Sequence, residues 1–197
     1  MSLALTLGTK NPGKLKEFEE MSRDCPWLEL ALAPADFDPE ETGNTYIENA
    51  FIKARAAAEA SGRLSAADDS GLEVDALEGR PGLYSARYSE GSDALGRAKL
   101  LKELEGQENR SARFVCAIVL CRPGSKEPVF QTEQYWTGRI SLTEQGYQGF
   151  GFDPVFLPVE KDVTAAQISA KEKNLLSHRG QAWRQTLRFL EKNFINP

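Results

Sequence analysis

The feature that most restricts the fold is a pair of strand-like runs, Arg113 to Arg122 and Val129 to Trp136, separated by the turn-forming Pro123-Gly124-Ser125. So short a return makes the two runs neighbours in an antiparallel hairpin. Elsewhere the chain alternates between strand and helix patterns, so the hairpin points to a mixed sheet rather than a purely parallel one and to an α/β protein. Leu3-Ala4-Leu5-Thr6-Leu7 alternates and meets Gly8, which reads as a first strand, and Leu15, Phe18 and Met21 give helical spacing from Lys14 to Met21. Thr45-Tyr46-Ile47-Glu48 reads as a capping box, followed by an alanine-rich helix to Ala60 and a stop at Gly62. Its apolar face is Ile47, Ala50, Phe51, Ala54 and Ala58, while Asn49 and Lys53 share another. Further on, the pattern predicts a Gly- and Pro-rich loop to about Ser89, a helix from Asp93 to Leu104 ended by Gly106, and a short separate strand at Arg139-Ile140-Ser141. Phe150 to Pro154 reads as a rigid aromatic loop, and Ser177 as the cap of a final amphipathic helix through Phe189 and Leu190.

A length of 197 residues suits one domain, 1–197, with a sizeable core. No apolar run is long enough to cross a bilayer, and the apolar N-terminal stretch is too short and lacks the basic start of a signal peptide, so the expected location is the cytoplasm. Cys25, Cys116 and Cys121 have no metal-type spacing and read as reduced thiols. A formal charge of −5 argues against a general grip on nucleic acid, which draws its affinity from phosphate neutralisation.

Two local motifs carry chemistry. In the loop GTKNPGK, Gly8, Gly13 and Lys14 match the phosphate-loop spacing, but the next residue is Leu15 where that motif uses a magnesium-holding hydroxyl. What survives is a helix N-terminus beside a lysine, which suits an anion. The second motif is Asp68-Asp69-Ser70-Gly71. A turn explains these four residues; so does a magnesium site completed by Glu40 or Glu41, since magnesium favours carboxylate oxygens. Both aspartates could converge where a strand ends at Ser70-Gly71, and a cation would relieve their repulsion. The only histidine, His178, rules out a metal site built on several histidines, and no G-x-S-x-G elbow supports a serine hydrolase.

The chain resembles the inosine/xanthosine triphosphate pyrophosphatase family. The resemblance rests on Thr9-x-Asn11-x-x-Lys14, on Glu41-Thr42-Gly43-x-Thr45-x-x-Glu48-Asn49-Ala50-x-x-Lys53-Ala54 and on Ala67-Asp68-Asp69-Ser70-Gly71-Leu72. It continues through Pro81-Gly82-x-Tyr84-Ser85-Ala86-Arg87-Tyr88, Phe150-Gly151-Phe152-Asp153-Pro154 and Ser177-His178-Arg179-Gly180. It implies an elongated, two-lobed mixed sheet flanked by helices with a central active-site cleft, usually in a homodimer. The implied activity is hydrolysis of ITP, dITP and XTP to the monophosphate and pyrophosphate with Mg2+. By position, the loop Thr9, Lys10, Asn11, Pro12, Gly13 and Lys14 would hold phosphates, joined by Lys53 from the second helix. Glu41, Asp68 and Asp69 would surround the metal, Asp69 would also be the base, and Ser70 would touch substrate. The base pocket would comprise Phe150, Gly151, Phe152, Asp153, Lys173, His178 and Arg179, whose donors suit the C6 oxygen of a deaminated purine.

Lys10 departs from the family's small residue and is expected to point to solvent; the Gln131 to Trp136 run lacks the glycines of some relatives. Three other readings remain: a pyrophosphatase of modified pyrimidine or bulky nucleotides, of the Maf type; a nucleotide sensor that does not hydrolyse; and a nucleic-acid module. His178-Arg179 argues against the first, the full set of carboxylates and lysines against the second, and the net charge against the third.

Overall fold

The computed structural model describes residues 2–34, 36–88 and 92–196. It contains β1 (Leu3–Leu7), α1 (Pro12–Met21), β2 (Leu28–Leu32), α2 (Tyr46–Ser61), β3 (Ser65–Val74) and β4 (Pro81–Gly82). There follow α3 (Asp93–Glu103), β5 (Ser111–Cys121), β6 (Phe130–Ile140), β7 (Phe156–Pro158), α4 (Ala170–Leu176) and α5 (His178–Leu190). One seven-stranded sheet has the order β2-β1-β3-β5-β6-β7, with β4 paired to β3. It is mixed, as the hairpin requires: β1 runs parallel to β2 and β3, while β3–β4 and β6–β7 are antiparallel. Val129 N–H donates to Leu120 C=O at 2.8 Å, which closes the β5–β6 hairpin.

The chain divides into two compact units. The first comprises 1–69, 116–134 and 179–197, and the second 70–115 and 135–178. In the first, Leu5, Leu7, Phe18, Ala66, Ile118, Leu120, Ala182 and Trp183 form a core. Phe18 and Trp183 meet at 4.7 Å between centroids, and the Trp183 indole N–H donates to Ser22 Oγ at 3.0 Å, so the ring is buried with its polar atom satisfied. In the second, Leu72, Leu100, Leu104, Phe114, Trp136, Ile140 and Phe156 pack together, with Phe114 and Phe156 centroids 4.6 Å apart. Cys116 and Cys121 are buried, all three thiols are free, and burial pushes the Cys116 thiol up to about 12, so they are inert.

Several local expectations need correction. The strand carrying the aspartates does not stop at Ser70-Gly71; β3 continues to Val74 because Leu72 and Val74 supply the second core. The expected separate strand at Arg139 to Ser141 is the end of β6, which runs unbroken from Phe130 to Ile140. Four elements escaped the pattern reading, among them the two- and three-residue strands β4 and β7. The alternating edge strand β2, Leu28 to Leu32, is short and only half-buried. Helix α4 spans less than two turns, although Ser169 and Glu172 mark its start: Glu172 N–H donates to Ser169 Oγ at 3.2 Å. In α2 the cap is Thr45, as expected, its Oγ1 accepting from Glu48 N–H; the reciprocal bond of the box differs, since Glu48 accepts from Asn44 N–H rather than from Thr45 N–H. The buried positions of α2 are Tyr46, Asn49, Ala50, Ala54, Ala57 and Ala58, so the face holding Asn49 is interior too. The expected loop end at Ser89 lies outside the described residues. No helix among the described residues is long and apolar enough to cross a membrane.

Truncating Trp183 removes a fully buried ring, its stack on Phe18 and the partner of Ser22. We expect Trp183→Ala to lower unfolding free energy by about 3–5 kcal/mol, read by urea denaturation. A loss below about 1 kcal/mol would contradict the packing described.

Candidate active site

In the first unit, β1 ends at Gly8, where the chain must pass close to its neighbours. A Cβ at Gly8 would stand 3.1 Å from Ala67 Cβ and 3.2 Å from both Ala57 Cβ and Phe37 Cζ. Glycine at this point lets the loop lie directly over the end of β3. Asn11 then caps α1: its Oδ1 accepts from Gly13 N–H at 2.9 Å and Lys14 N–H at 3.1 Å, while its own N–H donates to Thr9 Oγ1 at 3.2 Å. Pro12 occupies the first turn, where its missing N–H costs nothing. The two N–H groups suited to an anion are thus met by an amide oxygen that an arriving phosphate can replace. Lys10 leans outward to Asp38 at 3.4 Å with its side chain half exposed.

Lys14 points inward. Its Nζ lies 2.8 Å from Asp68 Oδ2, and Arg179 Nε approaches the same oxygen at 3.4 Å. Arg179 also donates from Nη1 to Glu17 Oε2 at 2.6 Å. The Asp68 side chain is 1% exposed, and burial alone would raise its pKa. The charges of Lys14, Arg179 and Lys53 outweigh that and hold it well below the usual carboxylate range. Burial likewise opposes the charge on Arg179, yet Glu17 and Asp68 keep it firmly protonated. The sequence expectation gives Arg179 to the purine base; in the structure its guanidinium is held by Glu17 and Asp68.

Asp69, one residue further along β3, serves a different set. Lys53 Nζ bridges Asp69 Oδ1 at 3.0 Å and Glu41 Oε1 at 2.6 Å. Asn49 Nδ2 donates to Asp69 Oδ2 at 3.4 Å, and Asn49 Oδ1 accepts from Gly43 N–H at 2.8 Å. Gly43 is obligatory here, because a Cβ would fall 2.7 Å from Asn49 Oδ1. Burial raises the Asp69 pKa, and Lys53 and Lys14 only partly offset it. Adjacent carboxylates therefore titrate in opposite directions.

Lys14, Lys53 and Arg179 relieve the carboxylate repulsion in this arrangement. Among the described residues no three acidic, histidine or cysteine side chains gather closely enough to hold a metal. The donor chemistry nonetheless fits a hard divalent cation: Asp68 Oδ1 is buried and accepts no hydrogen bond, and Glu41 and Asp69 bring further carboxylate oxygens, bridged by the Lys53 ammonium.

The second unit holds the remaining expected residues. Asp153 Oδ2 accepts from Phe150 N–H at 2.8 Å and from Lys173 Nζ at 2.6 Å, and Lys173 Nζ sits 4.8 Å from the Phe150 ring centroid. His178 stacks nearly parallel on Phe114, with centroids 4.8 Å apart. Ser70 continues β3. Glu17 and Asn49 were not among the expected site residues. Their signals were present: Glu17 lies one helical turn from Lys14, and Asn49 one turn from Lys53.

The Ham1 family model matches residues 5–189 of the chain. A dITP/XTP pyrophosphatase of Nitratidesulfovibrio vulgaris is 47% identical over 195 residues, covering 93% of each chain. One of Bacillus subtilis with the same name is 42% identical and covers 94% of this chain and 96% of its own. Among solved structures, a HAM1 protein from Coxiella burnetii superposes with a TM-score of 0.86 at 38% identity, covering 96% of this chain and 99% of its own.

The Asp68 charge yields a pH prediction. Its folded pKa is depressed, so its stabilisation is fully present above the unfolded value of about 4 and is lost as pH falls through the folded one. We expect Asp68→Asn, measured without divalent cations, to cost about 3–5 kcal/mol at pH 7. The gap from the parent protein should narrow below about pH 4. A gap that stays constant between pH 7 and 3 would show that the charge does not matter.

Proposed function

The chain belongs to the Ham1 family, and from that premise we propose that it hydrolyses ITP, dITP and XTP to the nucleoside monophosphate and pyrophosphate. Such an activity withdraws deaminated purines from the nucleotide pool before they enter DNA or RNA. The observation that carries the reading is the gathering of Lys14, Lys53, Glu41, Asp68 and Asp69 around the end of β1 and the start of α1. Two buried lysines balanced by carboxylates form an assembly that a polyanion can rearrange: phosphates take the lysines, and the carboxylates are released for a cation and a proton.

In this reading Lys14 and the N–H groups at the start of α1 bind the triphosphate, and Lys53 stabilises charge on the departing pyrophosphate. Asp69 accepts the proton of the water that attacks the α-phosphorus; the bond from that phosphorus to the bridging oxygen breaks, and the electron pair leaves with pyrophosphate. Its upward-shifted pKa makes it a better base than an ordinary carboxylate. Asn49 keeps the Asp69 carboxylate oriented through the bond at Oδ2. Mg2+, held by Glu41, Asp68 and Asp69, supplies neutralising charge for the phosphates when bound. Base reading is assigned to Phe150–Asp153, Lys173 and His178, with Ser70 touching substrate. Arg179, as placed, acts on Asp68 through Nε and on Glu17 through Nη1. We further propose a cytoplasmic homodimer.

Products separated by ion exchange after incubation with Mg2+ and ITP, XTP, GTP, ATP or dUTP test the reaction. IMP and XMP with pyrophosphate, and little from GTP or ATP, are expected; orthophosphate with IDP would overturn the proposed bond cleavage. Asp69→Asn should reduce kcat by about 10²–10⁴ while the far-UV spectrum and unfolding midpoint persist. A fully active variant would remove Asp69 from the role of base.

A further inference from the structure

We infer that Asp93 and Arg97 of α3 are positioning residues that set the loop Phe150–Asp153 and thereby the enzyme's choice of purine, an inference that rests on the base-reading role proposed for that loop. Ser92 starts α3, its Oγ accepting from Leu95 N–H at 3.4 Å. Asp93 and Arg97 stand one helical turn apart and so share a face. That face grips one residue of the loop from both sides. Gly151 N–H donates to Asp93 Oδ2 at 2.7 Å, and Arg97 Nη1 donates to Gly151 C=O at 2.9 Å. Arg97 is itself fixed by Glu144, which accepts from its Nε at 2.8 Å.

Gly151 is a position where such a grip has consequences. Its φ of +59° is left-handed, a region glycine enters freely and also leaves freely. On its two sides lie the rings of Phe150 and Phe152. Asp153 and Lys173 tie down the loop at Phe150 N–H, but they leave the orientation of the Gly151 peptide to other groups. The clamp from α3 supplies that orientation with two charge-assisted hydrogen bonds, and a regular helix is a more rigid support than a loop.

Two simpler accounts make different predictions. An acidic residue in the first turn of a helix offsets the helix dipole, in which case its charge matters and its acceptor geometry does not. A partly exposed Arg–Glu pair can contribute little, in which case Arg97 is replaceable. Asp93→Asn separates the first account from the clamp, since the amide oxygen still accepts from Gly151 while the charge is gone.

The test is steady-state kinetics on ITP, XTP and GTP for the parent protein and for Asp93→Ala, Asp93→Asn, Arg97→Ala and Arg97→Lys, together with hydrogen exchange of the Gly151 amide. Loss of one charge-assisted bond corresponds to about a tenfold effect. Asp93→Ala and Arg97→Ala should raise KM for ITP about tenfold and narrow the preference over GTP, with kcat within about twofold. Asp93→Asn should stay near the parent, and Arg97→Lys, which replaces the planar fork of separate nitrogens by a single ammonium, should fall between. The Gly151 amide should exchange about tenfold faster in Asp93→Ala. The double alanine variant should cost less than the product of the singles, because both side chains hold one peptide.

Parent-like KM, preference and exchange in both alanine variants, while the parent hydrolyses ITP, would overturn the clamp and leave the proposed function standing. Asp93→Asn as damaging as Asp93→Ala would assign Asp93 to the helix dipole instead. Failure of the parent itself to act on ITP or XTP would remove the proposed function, and the specificity role with it. Should Arg97→Ala not fold, the two Asp93 variants decide.

Discussion

The first unit depends on one buried negative charge. Asp68 lies in β3 with its side chain almost wholly out of water, where an unpaired carboxylate would not stay ionised. It stays ionised because α1 brings Lys14 and α5 brings Arg179 to the same oxygen. The placement of α1 follows in turn from Gly8 and the Asn11 cap, which let the loop after β1 lie close to β3. Sheet, loop and last helix are thus coupled through one atom, Asp68 Oδ2.

The strand geometry then gives the neighbouring carboxylate a different fate. Successive side chains of β3 diverge, so Asp69 meets Lys53 and Asn49 of α2 rather than Lys14 and Arg179. Fewer cations act on it, and burial prevails over attraction. A carboxylate held low and one pushed up, a single residue apart, suit the two tasks proposed for them, holding a cation and accepting a proton. Lys53 holds Asp69 and Glu41 together, so any ligand that competes for its ammonium acts on both carboxylates at once.

The second unit solves a different problem. Its core of Phe114, Trp136 and Phe156 takes in Phe152, but Gly151 in the Phe150–Asp153 loop has no side chain to pack. Such a loop keeps one shape only if its backbone groups have partners. Asp153 and Lys173 supply them from one side and α3 from the other, so a rigid helix carries a loop that periodicity alone would leave undefined.

The sequence determined the long elements and the chemistry of the motifs. The Arg113–Trp136 hairpin gave a mixed sheet, the Thr45 and Gly62 signals bounded α2, and the motifs carrying Asp68-Asp69, Lys14 and Lys53 singled out side chains that meet in ion pairs. Local periodicity reports burial over a few turns, and it failed where an element is short or half-exposed, as in β2 and α4. Tertiary structure alone decided which charges meet. Arg179 finds Asp68 across 111 residues and Glu17 across 162, and no local pattern encodes pairings so distant. It also carried β3 past Ser70-Gly71, because what extends a strand is the core awaiting Leu72 and Val74, not the turn propensity of the residues before them.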